Sequence, residues 1–148
     1  MKILLPILTL WFSIAYANEE LAQKLKDLDP DINSVTTDGY WEAEGKNGQY
    51  RIIETKQGFD LARSSIFLQW IQIDVDNGSI SVIHSISITE INSDMWCFFK
   101  KAVFNHHKKS YILSFQKRGD GSEPSEVSEK THTATLMPDG LGNYKFSQ

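Results

Sequence analysis

Residues 65–91 read SIFLQWIQIDVDNGSISVIHSISITEI, and the period of this stretch decides the fold class. Ser65 to Val75 is rich in β-branched and aromatic residues, which suit an extended, half-buried strand. Asp76-Asn77-Gly78 follows. Asn-Gly accepts the positive φ angles of a tight hairpin, so Ser79 to Ile91 is expected to return antiparallel. In the returning strand Ile80, Val82, His84, Ile86 and Ile88 alternate with Ser79, Ser81, Ile83, Ser85 and Ser87. Alternation at a period of two predicts that the first set faces the core and the serine-rich set faces outward.

The same period extends both ways. Upstream, Tyr40 to Glu44 runs into Gly45-Lys46-Asn47-Gly48, and Gln49 to Lys56 follows as its hairpin partner. Downstream, Asn92-Ser93-Asp94 leads to a strand from Met95 to Phe104, and Asn105-His106-His107-Lys108-Lys109 turns into Ser110 to Lys117. A loop from Gly119 to Glu129 then precedes Lys130 to Met137 and a last strand, Tyr144 to Phe146. Roughly eight strands joined by short turns predict an all-β domain, an antiparallel meander forming a barrel or sandwich.

The beginning of the chain has a different character. In MKILLPILTLWFSIAYA, residues 1–17, Lys2 precedes an apolar run, and Ala15 and Ala17 flank Tyr16. That order predicts a secretory signal peptide cleaved after Ala17. The run is shorter than the ~20 residues that cross a bilayer, and no second one follows, so no transmembrane segment is expected. Residues 18–148 are then a single all-β domain that is exported, either periplasmic or secreted. Leu21, Leu25 and Leu28 add a short N-terminal helix, ended by Asp29-Pro30-Asp31. The one cysteine, Cys97, has no internal partner and sits beside Trp96, Phe98 and Phe99, the context of a buried thiol.

Fifteen basic residues against nineteen acidic give a net charge of −4, which argues against a nucleic-acid partner. The charge is nevertheless segregated. Met95 to Arg118 holds six basic residues and no acidic one. Lys100, Lys101, Lys108 and Lys109 are joined there by His106 and His107 and interleaved with Trp96, Phe98, Phe99, Phe104, Tyr111 and Phe115. Paired as a hairpin, these strands would concentrate positive charge for phosphate, carboxylate or sulfate groups on an anionic macromolecule or envelope component. The competing reading is structural: the lysines pair with acids on neighbouring strands, or protect a sheet edge.

Catalytic signatures are missing. The chain has no G-x-S-x-G, phosphate loop or H-E-x-x-H, and His84 and His132 lack any ligand spacing around them. Asp74-Val75-Asp76-Asn77-Gly78 opens like a calcium loop, but its glycine comes early and the closing glutamate is missing. The expectation is a non-enzymatic binding protein with no cofactor and no metal; the alternative from another class is an enzyme with no recognisable motif. Arg118-Gly119-Asp120 matches an adhesive tripeptide, and Asn77-Gly78-Ser79 would accept a glycan in a eukaryotic host.

Gly39-Tyr40-Trp41, at the start of the first strand, resembles the G-x-W of lipocalins. The resemblance implies a small apolar ligand inside a barrel, in a cavity lined by aromatics such as Trp70.

Overall fold

The computed structural model describes residues 29–57, 63–74, 76–93, 97–118 and 127–148. Every element below lies in the unit Asp31–Gln148, which is distinct from Met1–Pro30. The expected signal peptide and N-terminal helix fall outside the described residues, as do Trp96 and residues 119–126 of the long loop.

Two four-stranded antiparallel meanders form the domain. The first contains β1 (Ile32–Ala43), β2 (Lys46–Gln57), β3 (Arg63–Ile73) and β4 (Ile80–Ser87) in that order. A single helical turn, α1 (Thr89–Asn92), follows β4. The second sheet contains β5 (Cys97–Asn105), β6 (Ser110–Arg118), β7 (Val127–Pro138) and β8 (Tyr144–Ser147). Among the described residues no ladder closes the two sheets into a barrel, and no helix is long and apolar enough to cross a membrane. The inner faces of both sheets enter one core, giving a sandwich-like arrangement. Trp41, Ile52, Leu68 and Trp70 come from the first sheet, and Cys97, Phe99, Phe104, Leu113, Phe115 and Leu136 from the second.

Three local expectations are corrected. The first strand starts at Ile32 rather than Tyr40, and its turn is Glu44-Gly45 rather than Gly45 to Gly48. Both turn residues have positive φ, 55° and 72°, which matches the right-handed twist of the flanking strands.

The strand expected to run to Ile91 instead ends at Ser87. Ile88 still donates its N–H to the Ile66 carbonyl at 2.9 Å, and the chain then turns helically. That turn brings the Asn92 carboxamide back to the ladder. Its Nδ2 donates to the Ile66 carbonyl at 2.8 Å and to Ser87 Oγ at 2.7 Å, and its Oδ1 accepts the Ile66 N–H at 2.7 Å. A buried side-chain amide thus replaces the peptide that a longer strand would have supplied.

The third correction concerns strand phase. The β3–β4 register slips between Trp70 and Ile71, so that Trp70 faces His84 while Ile71 faces Val82. The extra residue, Ile83, packs on the core together with Ile86, and Ile88 is fully buried. Ile80 and Val82, expected inside, are 69% and 47% exposed. One bulge inverts every side chain beyond it, because the strand period is two residues.

Polar side chains tie the sheets together. The Trp70 indole donates to the Gly140 carbonyl at 2.9 Å, and the Phe99 N–H donates to Ser64 Oγ at 3.2 Å. Ser64 in turn donates to Glu54 at 2.8 Å. Glu54 is buried, and it also accepts from Asn33 at 2.6 Å and Ser34 at 2.9 Å, with Lys56 Nζ 3.7 Å away. A buried carboxylate supplied with this many donors is a structural tie.

The displaced phase has a direct check by chemical denaturation. Ile80→Asp should change stability by no more than about 0.5 kcal/mol, as exposed substitutions do. Ile86→Asp should unfold the domain, because the charge would enter the core without a partner.

Candidate anion-binding hairpin

β5 and β6 pair from Cys97 opposite Lys117 to Asn105 opposite Ser110. Cys97, Phe99, Ala102 and Phe104 face inward from β5, and Tyr111, Leu113 and Phe115 meet them from β6. The aromatic residues therefore do not share a surface with the lysines, as the sequence pattern had suggested. Among the described residues, Phe99, Phe104, Tyr111 and Phe115 form the buried side of a two-faced hairpin, and the half-buried Phe98 faces outward. A bulge between Phe99 and Lys101 adds Lys100, leaving both lysines exposed on an edge strand. Lys117 lies over the Phe115 ring, 5.9 Å from its centroid, and so belongs to the inner side. Trp70 is fully buried in the other sheet.

His106, His107, Lys108 and Lys109 make the connecting turn, and all four are exposed. Asn105 Oδ1 accepts the Lys108 N–H at 3.0 Å and closes it. Lys109 has φ +48°, a left-handed conformation that glycine adopts without strain. His106 is anchored on both sides. Its Nε2 lies 3.4 Å from Asp38 Oδ1, and its ring meets Phe104 edge-on at 5.2 Å. Next to it the Tyr111 hydroxyl donates to the Asp38 carbonyl at 2.6 Å. Asp38 therefore fixes the turn to β1, and Gly39 beside it explains the close approach. Gly39 has φ +75°, and a Cβ there would sit 2.4 Å from the Phe104 ring. Gly39 and Trp41 thus both serve packing, with the Trp41 indole donating to the Gln49 carbonyl at 3.1 Å.

Among the described residues, none of Lys100, Lys101, Lys108 and Lys109 forms an ion pair. Edge protection accounts for Lys100 and Lys101, which sit at a bulge on an outer strand. It does not account for Lys108 and Lys109 at the tip. The charge is also divided between sheets. Residues 97–118 and 127–148 hold eight basic and two acidic residues, whereas 29–57, 63–74 and 76–93 hold four basic and nine acidic. The tip belongs to the positive half of a negative protein.

His84, His132 and Asp74 make local contacts. His84 meets Trp70 edge-on at 6.3 Å, and His132 stacks on Phe115 at 5.8 Å. The Asp74 carboxylate holds its own turn, accepting from Asp76 N–H and Asn77 Nδ2, each at 2.9 Å. No group of three or more metal-ligating side chains comes together among the described residues. No family model matches the chain, and no curated protein or solved structure matches it either.

Sequence reasoning found the turn but not its anchor. The G-x-W pattern ties Gly39 to the tryptophan two residues later, whereas its packing partner is Phe104, on the other sheet. No local pattern carries that pairing.

Burial pushes the Tyr111 phenol well above its ordinary value of 10.0, and burial raises Tyr50 in the same direction. Below 10.0 both phenols are protonated whether the chain is folded or unfolded, so their contribution is complete there. Above it the unfolded chain ionises first, and stability falls as pH rises. Thermal melts from neutral to strongly alkaline pH should show that fall. Tyr111→Phe should cost about 1 kcal/mol at neutral pH, through the lost hydrogen bond, and reduce the alkaline loss. Lys109→Gly should raise stability by about 1 kcal/mol in the same melts, by relieving the left-handed lysine.

Proposed function

We propose that this is an exported, non-enzymatic binding domain that holds an anionic partner through Lys100, Lys101 and the turn bearing His106, His107, Lys108 and Lys109. The observation that carries the reading is the tip itself. Its two lysines are exposed and free of carboxylates among the described residues, on the basic half of an acidic chain. Cationic groups held at a fixed spacing on a turn attract phosphate, sulfate or carboxylate arrays, and the attraction weakens as salt screens it. Lys109 adds a second line of support, because a cation stands where the backbone favours glycine. Export draws its support from the leader-like order of residues 1–17. A barrel carrying an apolar ligand has less behind it, since the sheets form separate ladders and the Trp70 indole N–H is committed to Gly140.

Retention of the purified domain on immobilised dextran sulfate, eluted with a salt gradient, tests the proposal. The double variant Lys108→Glu/Lys109→Glu should keep its stability within about 0.5 kcal/mol and elute at clearly lower salt. Co-elution of variant and parent would overturn the assignment.

A further inference from the structure

We infer that the anionic partner is a phospholipid bilayer surface, met by the outer face of the second sheet at its turn end; this rests on the anion-binding reading above. The register builds that face residue by residue. Lys101 lies opposite the buried Ser114, Val103 opposite the exposed Ile112, and Asn105 opposite the buried Ser110. Ile112 continues to Thr135 and then Ser147, while β7 and β8 bring Met137 opposite Lys145. Val103, Ile112 and Met137 are 49%, 40% and 39% exposed, so the cationic turn borders a neighbouring group of uncovered apolar side chains.

Charge and apolar surface on one face distinguish between classes of anion. A sulfated or carboxylated polymer offers charge but no apolar phase, and gains nothing from Val103 or Ile112. An anionic bilayer offers both: phosphates at the level of the lysines, and an acyl boundary for apolar side chains beneath them. Of the described acids at this end, Asp139 is held by Lys145 at 2.9 Å and Asp38 lies 3.4 Å from His106 Nε2. The first sheet supplies the contrast. Its exposed Tyr40, Ile73, Ile80 and Val82 share a sheet and its connections with Glu42, Glu44, Asp74 and Asp76, charges that an anionic membrane would repel.

The test compares flotation of the purified domain with phosphatidylcholine vesicles, with vesicles that also contain phosphatidylglycerol, and binding to soluble dextran sulfate. The parent should float with the phosphatidylglycerol vesicles alone. Val103→Ser/Ile112→Ser should weaken that binding by more than about fivefold and leave dextran sulfate binding unchanged. Met137→Ser should act in the same direction, and melts of both variants establish that they are folded. Lys108→Glu/Lys109→Glu should weaken binding to vesicles and polymer alike. If dextran sulfate binds but vesicles do not, or if the serine variants float as well as the parent, the bilayer assignment falls and the anion-binding reading survives. If the parent binds neither, both fall.

Discussion

The seat of the Phe104 ring on Gly39 is the contact on which the remaining architecture depends. A ring can lie against β1 at that point only because residue 39 has no side chain and occupies a backbone conformation that suits glycine. Phe104 then meets Tyr111 at 4.9 Å, His106 at 5.2 Å and Tyr50 at 6.3 Å, so one ring gathers residues from both sheets. Close packing of this kind leaves little room to slide, because interiors are filled at nearly crystalline density. The hairpin is thereby fixed with its aromatic side inward, which leaves Lys100, Lys101, Lys108 and Lys109 exposed while Lys117 stays over the Phe115 ring.

Hydrogen bonds placed around that contact give the packing a defined register. Tyr111 to Asp38, Trp70 to Gly140 and Phe99 to Ser64 each join one sheet to the other. Apolar packing alone tolerates small displacements, whereas a buried donor that loses its acceptor costs the full desolvation of the group. Glu54 and Asn92 work in the same way at the opposite end of the strands. Each polar group is buried with its partners already in place. The outward surface carries a concentration of like charge, with Lys100, Lys101, Lys108 and Lys109 outside the ion pairs of the described residues.

Most of the strand plan was legible in the sequence. Period-two alternation and turn residues placed β2, β3 and β5 through β8 close to their observed bounds. The errors fall where a side chain took over a backbone role or where a strand bulged. Asn92 ended β4 early by substituting for a peptide, and the Ile83 bulge reversed the faces of Ile80 and Val82. Neither event has a local signature, since both depend on what the neighbouring strand requires.

The sequence by itself determined an all-β chain of about eight antiparallel strands and a basic turn at Asn105 to Lys109, because alternation and turn chemistry are properties of neighbouring residues. Tertiary structure alone decided that the strands divide into two sheets, and that Phe99, Phe104, Tyr111 and Phe115 point away from the lysines they interleave with. It also decided that Asp38 anchors His106 while Lys108 and Lys109 stand free of carboxylates among the described residues. The physical reason is distance along the chain. Which face is buried and which charge is neutralised depend on residues brought together from remote strands, and periodicity records only what lies beside a residue.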